Sequence, residues 1–404
     1  MTGVVFLTQR MKMGYGVDLA VHEVSERLAA GGVSVSVLCN DADATFRGRY
    51  EIVELERGTP GEVQAFAEDL DPQAVVACTS PFIEMLPLLR KRDRSWAWEY
   101  GEPTPELFGR DGVEREMVRQ KKNASCYPAI AGIIAISEFI REDIHWPGAH
   151  VAYLGCDHVP DPGTKGVQDI QLSLKRPLRV GTLMRLGQGE ARYKGNDLFC
   201  RLAETLSGSG HRFELSVMGR GAEHDAEAFR RSGCRVFLNA TDREKWDYLR
   251  ALDVFVSCSL WEGFNLPLVE AQAIGTMAVA FDTGAHPEVC PLIFPNSSEM
   301  ADFLCEIETN RSLLLEHSRA GYHFVRRSFR WHKTASRFRE LVLGEALVTE
   351  SDAPANPQSS RTKRSAGATI ARTMWAAWRS LRLYGLQVTV RKIQRRLGEA
   401  WRTR

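Results

Sequence analysis

Two carboxylates stand eight residues apart across a short loop that contains both glycine and proline. Glu262 lies at the mouth of the loop, and Glu270 lies in the helical pattern that follows it. The loop follows a run typical of a buried strand. It therefore presents backbone N–H groups and a helix N-terminus at the carboxyl edge of a sheet, where nucleotides bind in such folds. Each carboxylate can accept hydrogen bonds from neighbouring sugar hydroxyls. A simpler interpretation also fits these residues: Glu262 caps a turn, and Glu270 is a surface charge.

A second candidate lies near the N-terminus, where Gly14-Tyr15-Gly16 follows one apolar run and opens a helical pattern. Glycine allows a backbone to approach a ligand closely, and a helix N-terminus favours an anion. The dinucleotide-binding fingerprint is incomplete, because Leu19 occupies its third glycine position. A tight strand-to-helix turn explains the segment equally well.

The elements that must position these residues are short apolar runs alternating with helical spacing, the pattern of a parallel sheet with crossover helices. The pattern predicts strands in two successive arrays, near Val4–Thr8, Val33–Leu38, Ala74–Cys78, Ser95–Trp98, Gly132–Ile136 and His150–Tyr153, and then near Leu178–Leu183, Phe213–Met218, Cys234–Leu238, Val254–Cys258, Met277–Phe281 and Leu292–Phe294. Two such arrays predict an α/β protein in which two doubly wound, Rossmann-like domains face a cleft.

The predicted domains are residues 1–165, on the acceptor side, and residues 176–347, on the nucleotide-sugar side, joined by a polar hinge. Residues 348–368 are rich in Ser, Pro, Ala, Asn and charge and are predicted to be a disordered linker. Residues 369–404 are predicted to form a basic amphipathic helical tail.

The segment from Glu262 to Thr276 resembles the Glu-x7-Glu element of family 4 retaining glycosyltransferases, which have the GT-B fold of two Rossmann-like domains. Its residues Glu-Gly-Phe-Asn-Leu-Pro-Leu-Val-Glu-Ala-Gln-Ala-Ile-Gly-Thr follow the family pattern over more than a dozen positions, with Asn265 where glycine is usual. The resemblance extends over residues 3 to about 345. It implies that Glu270 holds the ribose hydroxyls and Glu262 the donor sugar.

Further positions match the same family. The resemblance implies that Lys194, which precedes Gly195, and Arg185 clamp the donor diphosphate, with Arg192 as an alternative arginine. It also places the donor against a set of loop residues: Gly263, Phe264, Asn265, Leu266, Gly219, Gly14 and Gly16. The segment 282–288 resembles the glycine-rich loop of the family that ends in Glu, here Glu288. Residues 155–157 resemble the Gly-Val-Asp that precedes the hinge.

One departure concerns the first domain, where many relatives place a histidine near the donor. This chain has no histidine between His22 and His145 and carries Glu99-Tyr100-Gly101-Glu102-Pro103 in that region. The stretch resembles a rhamnosyltransferase-like subgroup. Glu99 and Glu102 are therefore predicted on the acceptor or sugar side, although a charged loop after a strand explains them as well.

Metal and hydrolase chemistry find little support in the sequence. Asp41-Ala42-Asp43 is more consistent with a solvated turn, and the ten histidines lack ligand spacing. Nine cysteines are scattered singly, which suits reduced thiols in a cytosolic protein. No apolar run approaches the roughly 18 residues of a membrane span, and the N-terminus lacks the features of a signal peptide. We expect neither a metal site nor a cofactor, since a nucleotide-sugar would be a substrate.

The net charge of +1 is unevenly distributed. Residues 369–404 carry nine Arg or Lys and one acid, which makes them +8 and leaves −7 for residues 1–368. A mildly acidic body argues against nucleic-acid binding. The tail includes Trp375, Trp378 and Trp401, which favours an anionic membrane surface over packing on the acidic body or a partner.

Together these features predict a metal-independent, retaining, hexosyl-type transferase of polysaccharide or cell-envelope biosynthesis. The enzyme would move a sugar from a nucleotide-sugar to a lipid-linked or glycan acceptor. It would lie in the cytoplasm, peripherally on the inner face of the membrane. A non-catalytic sugar- or nucleotide-binding scaffold, an epimerase and a phosphorylase remain alternatives.

Overall fold

The first half of the chain builds a parallel sheet. In the computed structural model, which describes residues 3–108, 112–164, 174–186, 193–221 and 223–345, seven strands lie in the order β3-β2-β1-β4-β5-β6-β7. Their bounds are Gly3–Met11 (β1), Ser34–Ala42 (β2), Glu51–Glu54 (β3), Ala74–Ala77 (β4), Ser95–Glu99 (β5), Gly132–Ala135 (β6) and His150–Val151 (β7). The order reverses direction between β1 and β4, and a crevice forms at such a switch point outside the carboxyl ends of the strands.

The second half repeats the arrangement. Within the described residues its sheet has six parallel strands in the order β10-β9-β8-β11-β12-β13. They are Leu178–Leu186 (β8), Phe213–Gly221 (β9), Arg235–Leu238 (β10), Val254–Ser257 (β11), Met277–Phe281 (β12) and Ile293–Phe294 (β13). The switch point here lies between β8 and β11, so both sheets have a binding crevice of the same kind.

Helices cover the faces of both sheets. They are Gly16–Ala30 (α1), Pro60–Leu70 (α2), Phe82–Met85 (α3), Gly112–Lys121 (α4), Glu138–Asp143 (α5), Asn196–Gly208 (α6), Glu223–Arg231 (α7), Asp242–Ala251 (α8), Leu266–Ala273 (α9), His286–Val289 (α10), Ser297–Thr309 (α11), Arg311–Ser328 (α12) and Trp331–Leu343 (α13). In α1 the buried positions include Ala20, Val21, Val24 and Leu28, whose spacing of three and four residues is that of an amphipathic helix. Side chains cap the N-termini of several of these helices, among them α8, capped by Thr241, and α9, capped by Asn265.

The last helix returns to the first sheet. The ring of Phe338 in α13 lies 4.5 Å from that of Trp98 and 6.0 Å from that of Phe6, measured between centroids. The side-chain amide of Gln73 donates to the carbonyl oxygen of Leu343 at 2.9 Å. The chain therefore crosses between the halves twice, and residues 3–345 form one compact unit.

The α/β class, the two parallel sheets and the twelve predicted strands are confirmed, and the structure adds the edge strand β3. The domain bounds 1–165 and 176–347 remain a prediction. The sequence-based division placed residues 331–343 with the second sheet, whereas they pack on the first. The linker 348–368 and the tail 369–404 lie outside the described residues.

Candidate functional site

A cavity of about 480 Å³ lies between the two halves, at the carboxyl ends of both sheets. Its wall includes most of the residues that the sequence singles out. They are Gly14, Gly16, Glu102, Arg185, Lys194, Gly219, Glu262, Gly263, Phe264, Asn265, Leu266 and Glu270. Two loops of the first half and three of the second thus converge on one volume, of the size typical of small-molecule sites.

Lys194 and Glu262 form an ion pair in this wall. The ammonium Nζ of Lys194 donates to Oε1 of Glu262 at 2.9 Å, and the hydroxyl of Ser259 donates to the same oxygen at 2.8 Å. Within the described part of the chain, the second oxygen of Glu262 has no hydrogen-bond partner. The carboxylate is thus fixed in position and still has lone pairs for a ligand.

Gly195 explains how Lys194 reaches Glu262. Its φ is +70°, and a Cβ there would lie 2.0 Å from the carbonyl oxygen of Cys258. Only glycine allows the loop before α6 to pass this close to the loop after β11. Gly195 therefore allows the close approach of the two loops that places Lys194 beside the carboxylate of Glu262.

Glu270 lies in α9 and is 2% exposed. Its Oε1 accepts from Nε2 of His158 at 3.0 Å and from Nζ of Lys245 at 3.1 Å. Burial alone would raise the pKa of Glu270, but the charge of Lys245 and the hydrogen bond from His158 outweigh burial and lower the pKa to about 2. Glu270 is therefore ionised at neutral pH, which matches a role as hydrogen-bond acceptor.

Trp331 fixes the tautomer of His158. Its indole Nε1–H donates to Nδ1 of His158 at 3.0 Å. Because Nδ1 accepts, Nε2 must carry the hydrogen that is donated to Glu270. Trp331, the first residue of α13, is thus linked through His158 to Glu270, the candidate ribose-binding carboxylate. The sequence reasoning missed both His158 and Lys245, since their partner lies 112 and 25 residues further along the chain.

Asn265 explains the departure from glycine at its position. Its φ is +69°, a left-handed conformation that asparagine tolerates better than most residues. Its side-chain oxygen accepts from the backbone N–H of Leu268 at 3.2 Å. Its amide nitrogen donates at 2.9 Å both to the hydroxyl of Ser257 and to Nε2 of His286. Asn265 therefore replaces glycine while anchoring the N-terminus of α9 to the sheet.

His286 is fully buried under this loop. Its Nδ1 lies 2.9 Å from the carbonyl oxygen of Phe281, which requires the hydrogen on Nδ1 and leaves Nε2 as an acceptor. Burial lowers the pKa of His286, so the ring is neutral at physiological pH. It serves as a structural acceptor for Asn265 rather than as a proton carrier.

The two predicted carboxylates of the first half occupy different environments. Glu102 lines the cavity and pairs with Arg115 at 3.1 Å and with Lys122 at 3.6 Å. Glu99 is 2% exposed and lies behind the wall, where it accepts from Tyr127 at 2.7 Å and pairs with Lys122 at 3.2 Å. The structure thus brings Glu102 to the cavity, while Glu99 holds Lys122 in place behind it.

Burial opposes the charge of Lys122, but the carboxylates of Glu99 and Glu102 raise its pKa above the usual value. Lys122 therefore stays charged although it is 4% exposed. The buried Lys122 therefore orients Glu102 from the side away from the cavity. No sequence pattern had indicated Lys122.

Glu288, at the end of the predicted glycine-rich loop, connects the halves directly. Its carboxylate accepts from the backbone N–H groups of Glu138 and Phe139 at 2.9 and 2.7 Å, and from the hydroxyl of Tyr153 at 2.7 Å. A residue of the second half therefore satisfies the N-terminal N–H groups of a first-half helix, α5. This contact fixes the halves relative to each other next to the cavity.

Asp41 and Asp43 do not line the cavity. Asp41 lies in the last residues of β2 and pairs with Lys12, so the predicted turn begins only after it; Asp43 follows the strand and accepts from the backbone N–H of Thr45 at 2.9 Å, and both carboxylates are exposed. No group of three or more His, Cys, Asp or Glu side chains with metal-site geometry occurs among the described residues. Arg192 lies outside them. Within the same ranges, no helix is both long and apolar enough to span a membrane.

Residues 180–310 match the family model "Glycosyl transferases group 1". The lipopolysaccharide core biosynthesis mannosyltransferase LpsB of Rhizobium meliloti (strain 1021) is 51% identical over 43 residues, which span 11% of this chain and 12% of that protein.

Solved structures match over a far larger part of the chain. Sucrose-phosphate synthase from Thermosynechococcus elongatus superposes with a TM-score of 0.69 at 16% identity, covering 85% of this chain and 99% of that chain. Anabaena HepE, solved in complex with UDP and glucose, superposes with a TM-score of 0.65 at 14% identity, covering 85% of this chain and 100% of that chain. Residues 180–310 are thus similar to the glycosyl transferases group 1, and the fold is that of these solved structures, the GT-B fold.

Proposed function

We propose that this protein is a glycosyltransferase that moves a sugar from a nucleotide-sugar to a glycan or lipid-linked acceptor. One observation carries the proposal: Glu262, Lys194 and Glu270 line the same cavity, inside the segment that matches the group 1 glycosyltransferases. HepE, a protein of the same fold, binds UDP and glucose. The local similarity to LpsB favours an acceptor of the lipopolysaccharide or polysaccharide class.

The donor would lie with its nucleotide against the second half. Glu270, ionised and held by Lys245 and His158, accepts from the ribose hydroxyls. Gly219 and the loop residues 263–266 line the same part of the cavity and offer backbone N–H groups at the start of α9. This arrangement is consistent with a nucleotide bound at the carboxyl ends of the strands.

The transfer itself requires stabilisation of the leaving group. The bond between the anomeric carbon and the diphosphate oxygen breaks, and its electron pair stays on the diphosphate. A hydroxyl oxygen of the acceptor forms the new bond, and an oxygen of the departing diphosphate can take the hydroxyl proton. Lys194 and Arg185 stabilise the charge that develops on the diphosphate. Glu262 accepts hydrogen bonds from the hydroxyls of the donor sugar and holds the ammonium of Lys194 in position.

The finer parts of the proposal follow the family resemblance. The anomeric configuration is retained, and no metal ion is required, since Lys194 and Arg185 supply the positive charge beside the diphosphate. Glu102 contacts the acceptor from the first half. The tail at residues 369–404 places the enzyme peripherally on the cytoplasmic face of an anionic membrane.

Detection of free nucleoside diphosphate tests the activity. The full-length protein is incubated with a panel of nucleotide-sugars, with and without a lipopolysaccharide-core or polysaccharide acceptor. Release that depends on acceptor supports a transferase, and NMR of the product gives the anomeric configuration. Nucleotide binding without any turnover would indicate a scaffold. Conversion of the donor without acceptor would indicate an epimerase, and sugar-phosphate formation that depends on phosphate would indicate a phosphorylase.

A further inference from the structure

Two arginines stand side by side at the carboxyl edge of the second sheet. Arg185 at the end of β8 and Arg220 at the end of β9 are direct partners in the parallel ladder. Neighbouring strands lie about 4.8 Å apart, so the two side chains leave the sheet close to each other. Like charges at such positions repel, and the repulsion favours binding of an anion.

Tyr15 of the first half lies opposite these arginines. The guanidinium carbon of Arg185 lies 4.7 Å from the centre of the Tyr15 ring, and that of Arg220 lies 5.9 Å from it. Arg10 lies 3.5 Å from the same ring, and its Nε is 3.4 Å from the carboxylate of Asp18. The charge of Arg10 is therefore balanced inside the first half. Arg220 instead donates to a neutral acceptor, the carbonyl oxygen of Met13.

Gly14 brings the two sides together. Its φ is +91°, and a Cβ there would lie 2.3 Å from Nη1 of Arg220. The positive φ favours glycine at this position, and the guanidinium of Arg220 occupies the space that a side chain would fill. Arg185, Arg220 and Tyr15 line the same cavity as Lys194. Three cations thus line one cavity: Arg185 at the end of β8, Lys194 just before α6, and Arg220 at the end of β9.

We propose that Arg220 is a third cation of a diphosphate site, together with Arg185 and Lys194, and that Tyr15 is the positioning residue for the two arginines. The proposal rests on the proposed function and extends it by a residue that the family pattern does not mark. Guanidinium groups bind phosphate through paired hydrogen bonds, and an aromatic face restricts the plane of each group. The ligand chemistry is that of a diphosphate, supplied by the donor nucleotide or by an anionic acceptor.

Calorimetric titration with inorganic diphosphate tests the site without knowledge of the sugar or base. We expect Arg220→Gln to weaken binding at least about tenfold, since it removes one charge-assisted contact. Arg235→Gln is the matched control. Arg235 also stacks on an aromatic ring, with its guanidinium carbon 4.7 Å from the centre of the Phe237 ring, but it begins β10 at the opposite edge of the same sheet. Its affinity for diphosphate should equal that of wild type.

Tyr15 is tested by a pair of variants. Tyr15→Phe keeps the aromatic face and should retain wild-type affinity, whereas Tyr15→Leu should weaken diphosphate binding several-fold. Circular dichroism and thermal melts establish that each variant is folded. Equal losses in the two variants would show that the hydroxyl or the packing matters instead of the ring.

Two further measurements distinguish whether the donor or the acceptor supplies the diphosphate. If the donor supplies the diphosphate, Arg220→Gln also weakens the binding of nucleoside diphosphates and raises the KM for the nucleotide-sugar. If the acceptor supplies it, only the KM for the acceptor rises. Wild-type affinity for inorganic diphosphate in Arg220→Gln, or no measurable binding to the wild-type protein, overturns the proposal. Weakened binding in a protein that lacks transferase activity would overturn the proposed function and leave the site standing.

Discussion

Lys245 is the residue whose removal best tests the electrostatics of the cavity. Its ammonium lies 3.1 Å from the buried carboxylate of Glu270 and is the largest of the influences that lower the pKa of Glu270 to about 2, against an ordinary value of 4.5. A difference of that size corresponds to about 3 kcal/mol of folding free energy at neutral pH. We expect Lys245→Met to remove the greater part of it, about 2 kcal/mol.

The pH dependence has a definite sign. Because the folded-state pKa of Glu270 lies below its unfolded value, the contribution is fully present above about pH 4.5 and is lost as the pH falls towards 2. Lys245→Met raises the folded-state pKa of Glu270. The stability difference between wild type and variant should therefore be constant from pH 8 to 5 and should shrink below pH 4.5.

Urea denaturation of both proteins at pH 7, 5.5, 4.5 and 3.5 measures this difference. Lys91→Met is the matched control, since Lys91 also pairs with a carboxylate, that of Asp71, but both side chains are more than half exposed. Water screens an exposed pair, so the control should change stability far less. Equal losses for the two variants at pH 7, or a Lys245→Met loss that persists unchanged at pH 3.5, would refute the reasoning.

Other consequences of the site can be measured directly. Glu270→Ala should weaken donor binding in calorimetry, whereas Glu262→Ala should lower kcat more than donor affinity, each by roughly ten- to a hundredfold; wild-type kinetics in both would contradict the assignment. Lys194→Ala should weaken nucleoside diphosphate binding, and Lys194→Arg should restore it only in part, so unchanged affinity in Lys194→Ala would exclude it from the clamp. Asn265→Ala should destabilise the protein by about 2–4 kcal/mol and Asn265→Gly by less, because glycine retains the left-handed backbone; the reverse order in urea melts would be inconsistent with the geometry. Deletion of residues 350–404 should abolish sedimentation with anionic vesicles and spare activity on a soluble acceptor, whereas a full-length chain that ignores such vesicles at low salt would refute the membrane role.

The sheets were predictable because both faces of a parallel strand are buried, so the strands are continuous apolar runs. The edge strand Glu51–Glu54 escaped this rule. It is four residues long, with two apolar residues between two glutamates, and it pairs on one side only, with β2. Its short, polar sequence gave no run to detect.

The site was predictable where the functional residues and the elements that position them are neighbours in the sequence. The strand β11, the loop that contains Glu262 and the helix α9 follow one another directly in the chain, so the placement of the loop at the sheet edge followed from local pattern. The partners that tune it come from elsewhere: Lys245 from the preceding helix, and His158 from the loop after the first sheet. Such contacts depend on the packing of the halves, which local periodicity does not encode.

The direction of a side chain at the end of a strand was equally hidden. Glu99 and Glu102 are three residues apart in the same segment and looked equivalent. The register of β5 turns Glu99 inward to Lys122 and Tyr127, while the following loop exposes Glu102 to the cavity. A difference of a few residues in where the strand ends would have exchanged their environments.

The return of α13 to the first sheet has a consequence for synthesis. The ribosome releases the strands of that sheet first, but the helix that covers Phe6 and Trp98 emerges only after residue 343. The apolar face of the sheet is therefore left incompletely covered while the whole second half is translated, an interval of tens of seconds at about 5–20 residues per second. A fragment that ends at residue 164 should bind hydrophobic dyes and aggregate, and addition of a peptide comprising residues 329–345 should suppress both.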